Sequence, residues 1–276
     1  DTGLRLMRGT GFSLRLAAVA LALLGAGCTE MLDNRADLQL TWEKAVVALP
    51  QVSAGKPKLT TMESPEVASH LARYDPGVKL PLVLYMHGCT GIGNFEFFKR
   101  LARAGFAVIA PDSLARRFRP LQCDPKTKTG GYNLFVYDLR LAEISYALHR
   151  MSNLSWIDFD NLFLVGTSEG GVATAHYRGE EFRAHVISQW TCNGAHRVRG
   201  LAMPATTPVL AIVSADDPWY GPERTVDQEG HCGQFLGDRP DSASFVLPPG
   251  SGHDVFDDAA AIETIVQFLV RQTRRR

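Results

Sequence analysis

An excess of charge of either sign is missing from this chain: its 29 lysines and arginines are matched by 29 aspartates and glutamates. That balance leaves no electrostatic footprint for a nucleic acid or a strongly acidic partner, and neither is expected. No segment repeats at the period of a solenoid, so the fold is not a stack of like units. The histidines at 70, 149, 176, 185, 196 and 231 share no metal-ligand spacing, and neither a metal nor a cofactor is expected. A long apolar run is missing too. The best one, Leu16 to Leu24, is too short and too poorly flanked for a spanning helix. What remains is an ordinary globular composition, 45 % apolar and 21 % charged over 276 residues, enough for one sizeable core.

The short apolar run has another use. Arg8 and Arg15 precede it, and it ends in Gly25-Ala26-Gly27-Cys28. A basic start, an apolar centre and small residues before a cut describe a secretory leader. Cysteine directly after the small residues resembles the bacterial lipoprotein signal, in which that cysteine becomes the lipidated first residue. Residues 1–28 are therefore expected to be a leader and Cys28 a lipid-anchor site, with the protein exported to the cell envelope. Met7 is a more natural start than Asp1, which makes residues 1–6 upstream sequence. A linker is expected over 29–45, then a single domain over 46–276. Its first part, to about Lys79, is polar and broken by prolines and glycines. Ala45 to Leu49 is the clearest strand there, and one or two edge strands are expected.

From Leu80 onward the chain alternates. Leu80–Met86 is a continuous apolar run that suits a strand buried on both faces. Phe95–Ala104 reads as an amphipathic helix closed by Gly105, followed by a strand over Phe106–Ala110. A basic loop of roughly twenty residues, Leu114 to Gly131, has the length of a functional or mobile segment. A helix from about Asn133 to Met151 leads to a strand at Leu162–Val165. Further strands are expected at Ala184–Trp190, Pro208–Val213 and Ala243–Leu247. A closing helix from Val255 to Gln272 would turn Ile262, Ile265, Val266, Leu269 and Val270 inward. Strands alternating with helices imply a mainly parallel sheet, with ligands at the carboxyl ends of its strands.

One junction organises the rest. Leu162-Phe163-Leu164-Val165 runs into Gly166-Thr167-Ser168-Glu169-Gly170-Gly171, and a helix-compatible segment follows. This is G-x-S-x-G in the strand–turn–helix context that gives it meaning. So tight a turn strains the serine backbone, and glycines two residues to either side leave room for it. The new helix aims unpaired N–H groups at the same spot. Ser168 is read as a nucleophile. The loop after Leu80–Met86, His87-Gly88-Cys89-Thr90-Gly91, is placed to supply a second N–H, so the backbone N–H groups of Cys89 and Glu169 are the candidate oxyanion donors. His87 reads as a brace for that loop rather than as a base.

A serine hydroxyl needs a histidine to take its proton, and the histidine needs an acid to fix its tautomer. Asp217 and His253 each lie just past a strand, in the chain order serine, acid, histidine. Asp216 is the rival acid; Asp217 is preferred because it directly precedes Pro218-Trp219.

Together these motifs, with Pro111-Asp112-Ser113 and Gly252-His253-Asp254, resemble the α/β-hydrolase superfamily from about Leu80 to Gln272. The closest resemblance is to exported dienelactone-hydrolase-like members. It implies an α/β fold with a mainly parallel central sheet flanked by helices, and a catalytic triad of Ser168, Asp217 and His253. Dienelactone hydrolases proper carry a cysteine nucleophile; Ser168 here directs the expectation to a serine hydrolase of small or polymeric carboxylic esters, acting through an acyl-enzyme. A peptidase or polyester depolymerase on the same triad, or a silent binding protein of this fold, are the alternatives. Four cysteines besides Cys28 allow three pairings. Cys89 and Cys123 follow strands expected to be neighbours, as do Cys192 and Cys232, which favours those two bridges over four free thiols.

Overall fold

The computed structural model describes residues 34–52, 56–193, 198–220 and 230–274. The leader and Cys28 lie outside the described residues.

Among the described residues, ten strands are interspersed with helices: β1 (Val46–Leu49), β2 (Lys58–Thr61), β3 (Leu80–Met86), β4 (Ala107–Ala110), β5 (Cys123–Asp124), β6 (Thr129–Gly130), β7 (Ile157–Thr167), β8 (Ala184–Ser188), β9 (Val209–Ser214) and β10 (Ala243–Leu247). Eight of them form one sheet in the order β10-β9-β8-β7-β3-β4-β1-β2, with β5 and β6 a separate hairpin. From β10 to β4 the pairs are parallel; β1 runs antiparallel to both β4 and β2.

The sheet is covered on both faces, which explains why β3 is apolar at every position. Side chains alternate across a strand. Val83 and Tyr85 join a core with Phe97, Phe98 and Leu101 of α3 (Phe95–Arg103) and with Ile262, Ile265 and Leu269 of α6 (Ala259–Gln272). Leu82, Leu84 and Met86 face the other way, onto Ile144, Ala147 and Met151 of α4 (Phe135–Met151). The helix α5 (Glu169–His176) starts directly at the end of β7, at the centre of the sheet.

Three expectations are corrected. The expected linker over 29–45 instead holds a helix from Arg35. This α1 (Arg35–Glu43) is capped by the Asn34 side chain and buries Leu38 and Trp42. Its Thr41 carbonyl accepts from Asp112 N–H, and its Asp37 carboxylate from Phe118 N–H, so it buttresses the loop after β4. A second unanticipated helix, α2 (Pro65–Leu71), follows β2. The closing helix is interrupted: Val255–Asp257 forms a 3-10 turn, and Asp258 caps a fresh start at Ala259. That phase leaves Val270 exposed, while the other four residues expected to face inward are buried.

Both favoured bridges are present, Cys89–Cys123 and Cys192–Cys232. They fit an oxidising compartment. Among the described residues, no helix is long and apolar enough to cross a membrane.

Candidate active site

Ser168 occupies the turn between β7 and α5 with φ 53° and ψ −119°, a conformation costly for any residue with a Cβ. The neighbouring glycines are what make it possible. A Cβ on Gly166 would collide with the Gly170 carbonyl and the Thr174 hydroxyl, and one on Gly170 with the Met86 carbonyl. Ser168 N–H donates to Ser188 O at 2.8 Å, tying the elbow to the end of β8.

His253 lies in the turn beyond β10, and its Nδ1 meets Asp217 Oδ2 at 2.7 Å. Asp217, just past β9, is buried, and its other oxygen accepts from Trp219 N–H at 2.9 Å. The Asp-Pro-Trp turn therefore folds back onto its own carboxylate and fixes the carboxylate's orientation. Asp216 does a different job. It is exposed, and its oxygens accept from the N–H groups of Gly250 and Gly252 and from the Ser214 hydroxyl. Hydrogen bonds from Gly250 N–H and Ser214 hold its carboxyl below the usual aspartate range. It braces the histidine loop without touching the imidazole.

Gln189 completes the frame, and nothing in the sequence marked it. At φ 59° its amide nitrogen donates to Asp254 Oδ1 at 2.9 Å, while its amide oxygen accepts from Thr167. Tyr220 OH donates to the Gln189 carbonyl at 2.8 Å and interacts with Ser168. Burial holds that phenol well above its ordinary pKa, so it stays protonated. Ser168 and His253 are not hydrogen-bonded to each other, although the rings of Trp219 and Tyr220 stand 5.2 and 6.1 Å from the imidazole and both line the pocket of Ser168. Such contacts often tighten only when substrate is bound. The pocket beside Ser168 is a small cleft open to solvent, walled by Tyr137, Trp190, Trp219, Tyr220, Val172 and the Cys89–Cys123 bridge.

The two candidate oxyanion donors flank the serine. Glu169 N–H is the first of the N–H groups that α5 leaves without an intrahelical partner. Gly88, preceding Cys89, packs so closely that a Cβ there would lie 3.4 Å from Ser168 Cβ. His87 braces this loop, as its position implied. Ser113 N–H donates to His87 Nε2 at 2.9 Å, which assigns the ring proton to Nδ1, and Nδ1 donates to Gly88 O at 2.6 Å. Burial, aided by the Arg140 charge, holds its pKa well below the ordinary histidine value. His87 is therefore neutral, and Asp112, 3.8 Å away, forms no ion pair with it. Burial also raises the Asp112 carboxyl above its usual range.

No protein-family profile matches the chain, and no curated protein matches it either. Solved structures do match. One, provisionally described as a dienelactone hydrolase from Klebsiella pneumoniae subsp. pneumoniae, is 16% identical, with 82% of this chain and 99% of that one covered at TM-score 0.52. Another is the acylaminoacyl peptidase of Pyrococcus horikoshii, 13% identical at TM-score 0.50, where 73% of this chain but only 38% of the peptidase is covered. Identities this low speak to architecture alone, and the sheet order with a serine elbow at its centre agrees. The chain has the α/β-hydrolase fold. The likeness to the Klebsiella structure extends over nearly the full length of that chain.

On this α/β-hydrolase scaffold lies one cluster that the sequence concealed. Arg116, Arg140 and Glu143 and the Glu169 of the elbow are buried, and the Arg119 side chain, from the same loop after β4 as Arg116, is nearly so. Arg116 Nε and the Ser113 hydroxyl both reach Glu143 Oε1, at 2.7 and 2.8 Å. Arg119 Nη2 reaches Glu169 Oε1 at 2.5 Å. The only advance sign was the length and basic character of the loop, together with Ser113 in the Pro-Asp-Ser motif.

Proposed function

We propose that this protein is an exported serine hydrolase that cleaves carboxylic esters through an acyl-enzyme. The observation that carries the reading is the 2.7 Å His253–Asp217 hydrogen bond beside a serine held on a strained elbow. In this mechanism Ser168 Oγ attacks the ester carbonyl carbon while His253 Nε2 takes the hydroxyl proton. Asp217, bonded to Nδ1, keeps Nε2 free to accept that proton and stabilises the imidazolium that forms. The carbonyl oxygen, now negative, is received by the N–H groups of Cys89 and Glu169. Collapse expels the alcohol with the proton from His253, and a water repeats the sequence to release the acid and restore Ser168. The aromatic walls of this small pocket suit a compact acyl or alcohol group.

Incubation with a fluorophosphonate probe tests this directly. The wild-type protein should be labelled stoichiometrically at Ser168, and Ser168→Ala should lose both labelling and hydrolysis of p-nitrophenyl butyrate while unfolding at the wild-type temperature. A wild-type protein that resists the probe and cleaves no ester would leave the silent binding protein as the better reading. Export and a lipid at Cys28 belong to the same proposal. The mature protein should lack residues 1–27 by mass and partition into detergent; a free, unmodified N-terminus would exclude the anchor.

A further inference from the structure

Both halves of the proposed oxyanion hole are tied to one buried guanidinium. Arg140, on α4, has no solvent exposure at all. Its Nη2 donates to the His87 carbonyl at 2.9 Å, and that carbonyl belongs to the segment leading through Gly88 to Cys89. Its Nε lies 3.5 Å from Glu169 Oε1, on the residue that supplies the other N–H. Nη1 pairs with Glu143 Oε2 at 3.1 Å, one turn along the same helix, which fixes the plane of the fork. Arg119 Nη2 reinforces the elbow end at Glu169 alone.

We infer that Arg140 is a positioning residue for this reaction: by hydrogen-bonding the His87 carbonyl while holding the Glu169 carboxylate by charge at 3.5 Å, it sets the separation of the Cys89 and Glu169 N–H groups. The inference rests on the hydrolase reading above. Three features support it. The two donors come from different strands, β3 and β7, whose loops no main-chain ladder joins beyond Met86 and Gly166. A planar guanidinium can hydrogen-bond one acceptor and present its charge to a second at a fixed spacing, whereas a lysine ammonium acts as a single point. And the remaining charges are already engaged. Arg116 serves Glu143, Ser113 and Arg119 are bonded to each other, and Asp112 sits at the more exposed rim beside neutral His87. Among the described residues, Arg140 is the arginine that contacts both ends directly; Arg119 reaches the His87 side only through Ser113.

Since a misplacement of about 1 Å can cost on the order of a hundredfold in rate, the consequence belongs in kcat. Arg140→Lys should fold, judged by near-UV circular dichroism, and cleave p-nitrophenyl butyrate with kcat ten- to a hundredfold lower and KM within about threefold. A trifluoromethyl ketone, whose adduct with Ser168 puts an oxyanion in the hole, should lose affinity in step with kcat; the parent methyl ketone should not. A purely structural role would lower the unfolding temperature without moving that ratio. Glu169→Gln cuts the same bridge from its other end and should give the same signature in weaker form. If Arg140→Lys proves insoluble, Glu169→Gln decides alone. Wild-type kcat in either folded variant, or a rise in KM with kcat unchanged, overturns the inference. Absence of fluorophosphonate labelling in the wild-type protein would instead remove the hydrolase reading beneath it.

Discussion

At the scale of single residues, two adjacent aspartates share a loop and have opposite tasks. Asp217 is buried and touches the imidazole; Asp216 is exposed and touches only main-chain N–H groups and a serine. Asp217→Asn replaces an acceptor-only group by an amide that favours the wrong histidine tautomer, and a loss on the order of ten-thousandfold in kcat is expected. Asp216→Asn keeps one oxygen for the Gly250 N–H and should cost less than about tenfold. Steady-state kinetics on p-nitrophenyl butyrate separates the two. Equal losses would mean that the histidine loop, rather than its tautomer, limits the rate. The sequence left these two neighbours nearly equivalent, and the one distinguishing sign was local. Only Asp217 opens the Asp-Pro-Trp turn, whose Trp219 N–H closes onto its own carboxylate. The burial of Arg119 and Arg140 had no such sign. A charged side chain goes inside only with a partner, and both of these arginines meet Glu169, which lies 50 and 29 residues further along the chain.

At the scale of elements, the disulfides join pieces that the sheet does not hold. The hairpin of β5 and β6 has strands of two residues each, far below what stands alone in water. Cys89–Cys123 fastens it to the oxyanion loop, closing 34 residues, and both cysteines line the pocket of Ser168. Cys192–Cys232 closes 40 residues around the segment carrying Asp217, with both cysteines fully buried. Each is worth about 4 kcal/mol by loop closure, a model-dependent figure. Accessibility sets their order of reduction, so a mild reductant should open Cys89–Cys123 first. Ester turnover should then fall before any far-UV change, because the sheet core does not depend on the hairpin. Thiol counting alongside activity checks this, and full turnover after complete reduction would disconnect the bridge from the site. Elements with strong periodicity, such as β3 and α4, were legible in advance. Helix α1 was not, because in Arg35–Glu43 polar residues outnumber the apolar ones and only Leu38 and Trp42 supply its apolar anchors. Its place is decided by what it packs against.

At the scale of the whole molecule, the positions of the three catalytic candidates follow one regularity: each lies just past the end of a parallel strand. That is why the chemistry was readable while the charged scaffold beneath it was not. The same central sheet also predicts how the protein meets acid. His185 sits within β8, fully buried, with Nδ1 donating to Thr174 O at 3.0 Å and its ring against Tyr177 and Phe182. Burial pushes its pKa down to about 4; the Thr174 bond opposes that shift and the Arg239 charge adds to it. An unfolded histidine takes a proton near pH 6.5. Between about pH 6.5 and 4 the unfolded chain therefore binds a proton that the folded chain refuses, and stability must fall as the pH drops through that window. Above it both states are neutral at this position, and the term vanishes. The slope from one such group approaches 1.4 kcal/mol per pH unit, about 3 kcal/mol across the window. His87 and His176 are lowered by burial as well and act with the same sign. His185→Gln keeps a donor for Thr174 O but does not titrate. Urea unfolding at pH 7, 6, 5 and 4 should give the variant an acid limb shallower by nearly one proton, whatever its stability at pH 7. Parallel curves for the two proteins would mean that His185 is protonated inside the folded sheet, and the charge would then need a partner that β8 does not provide.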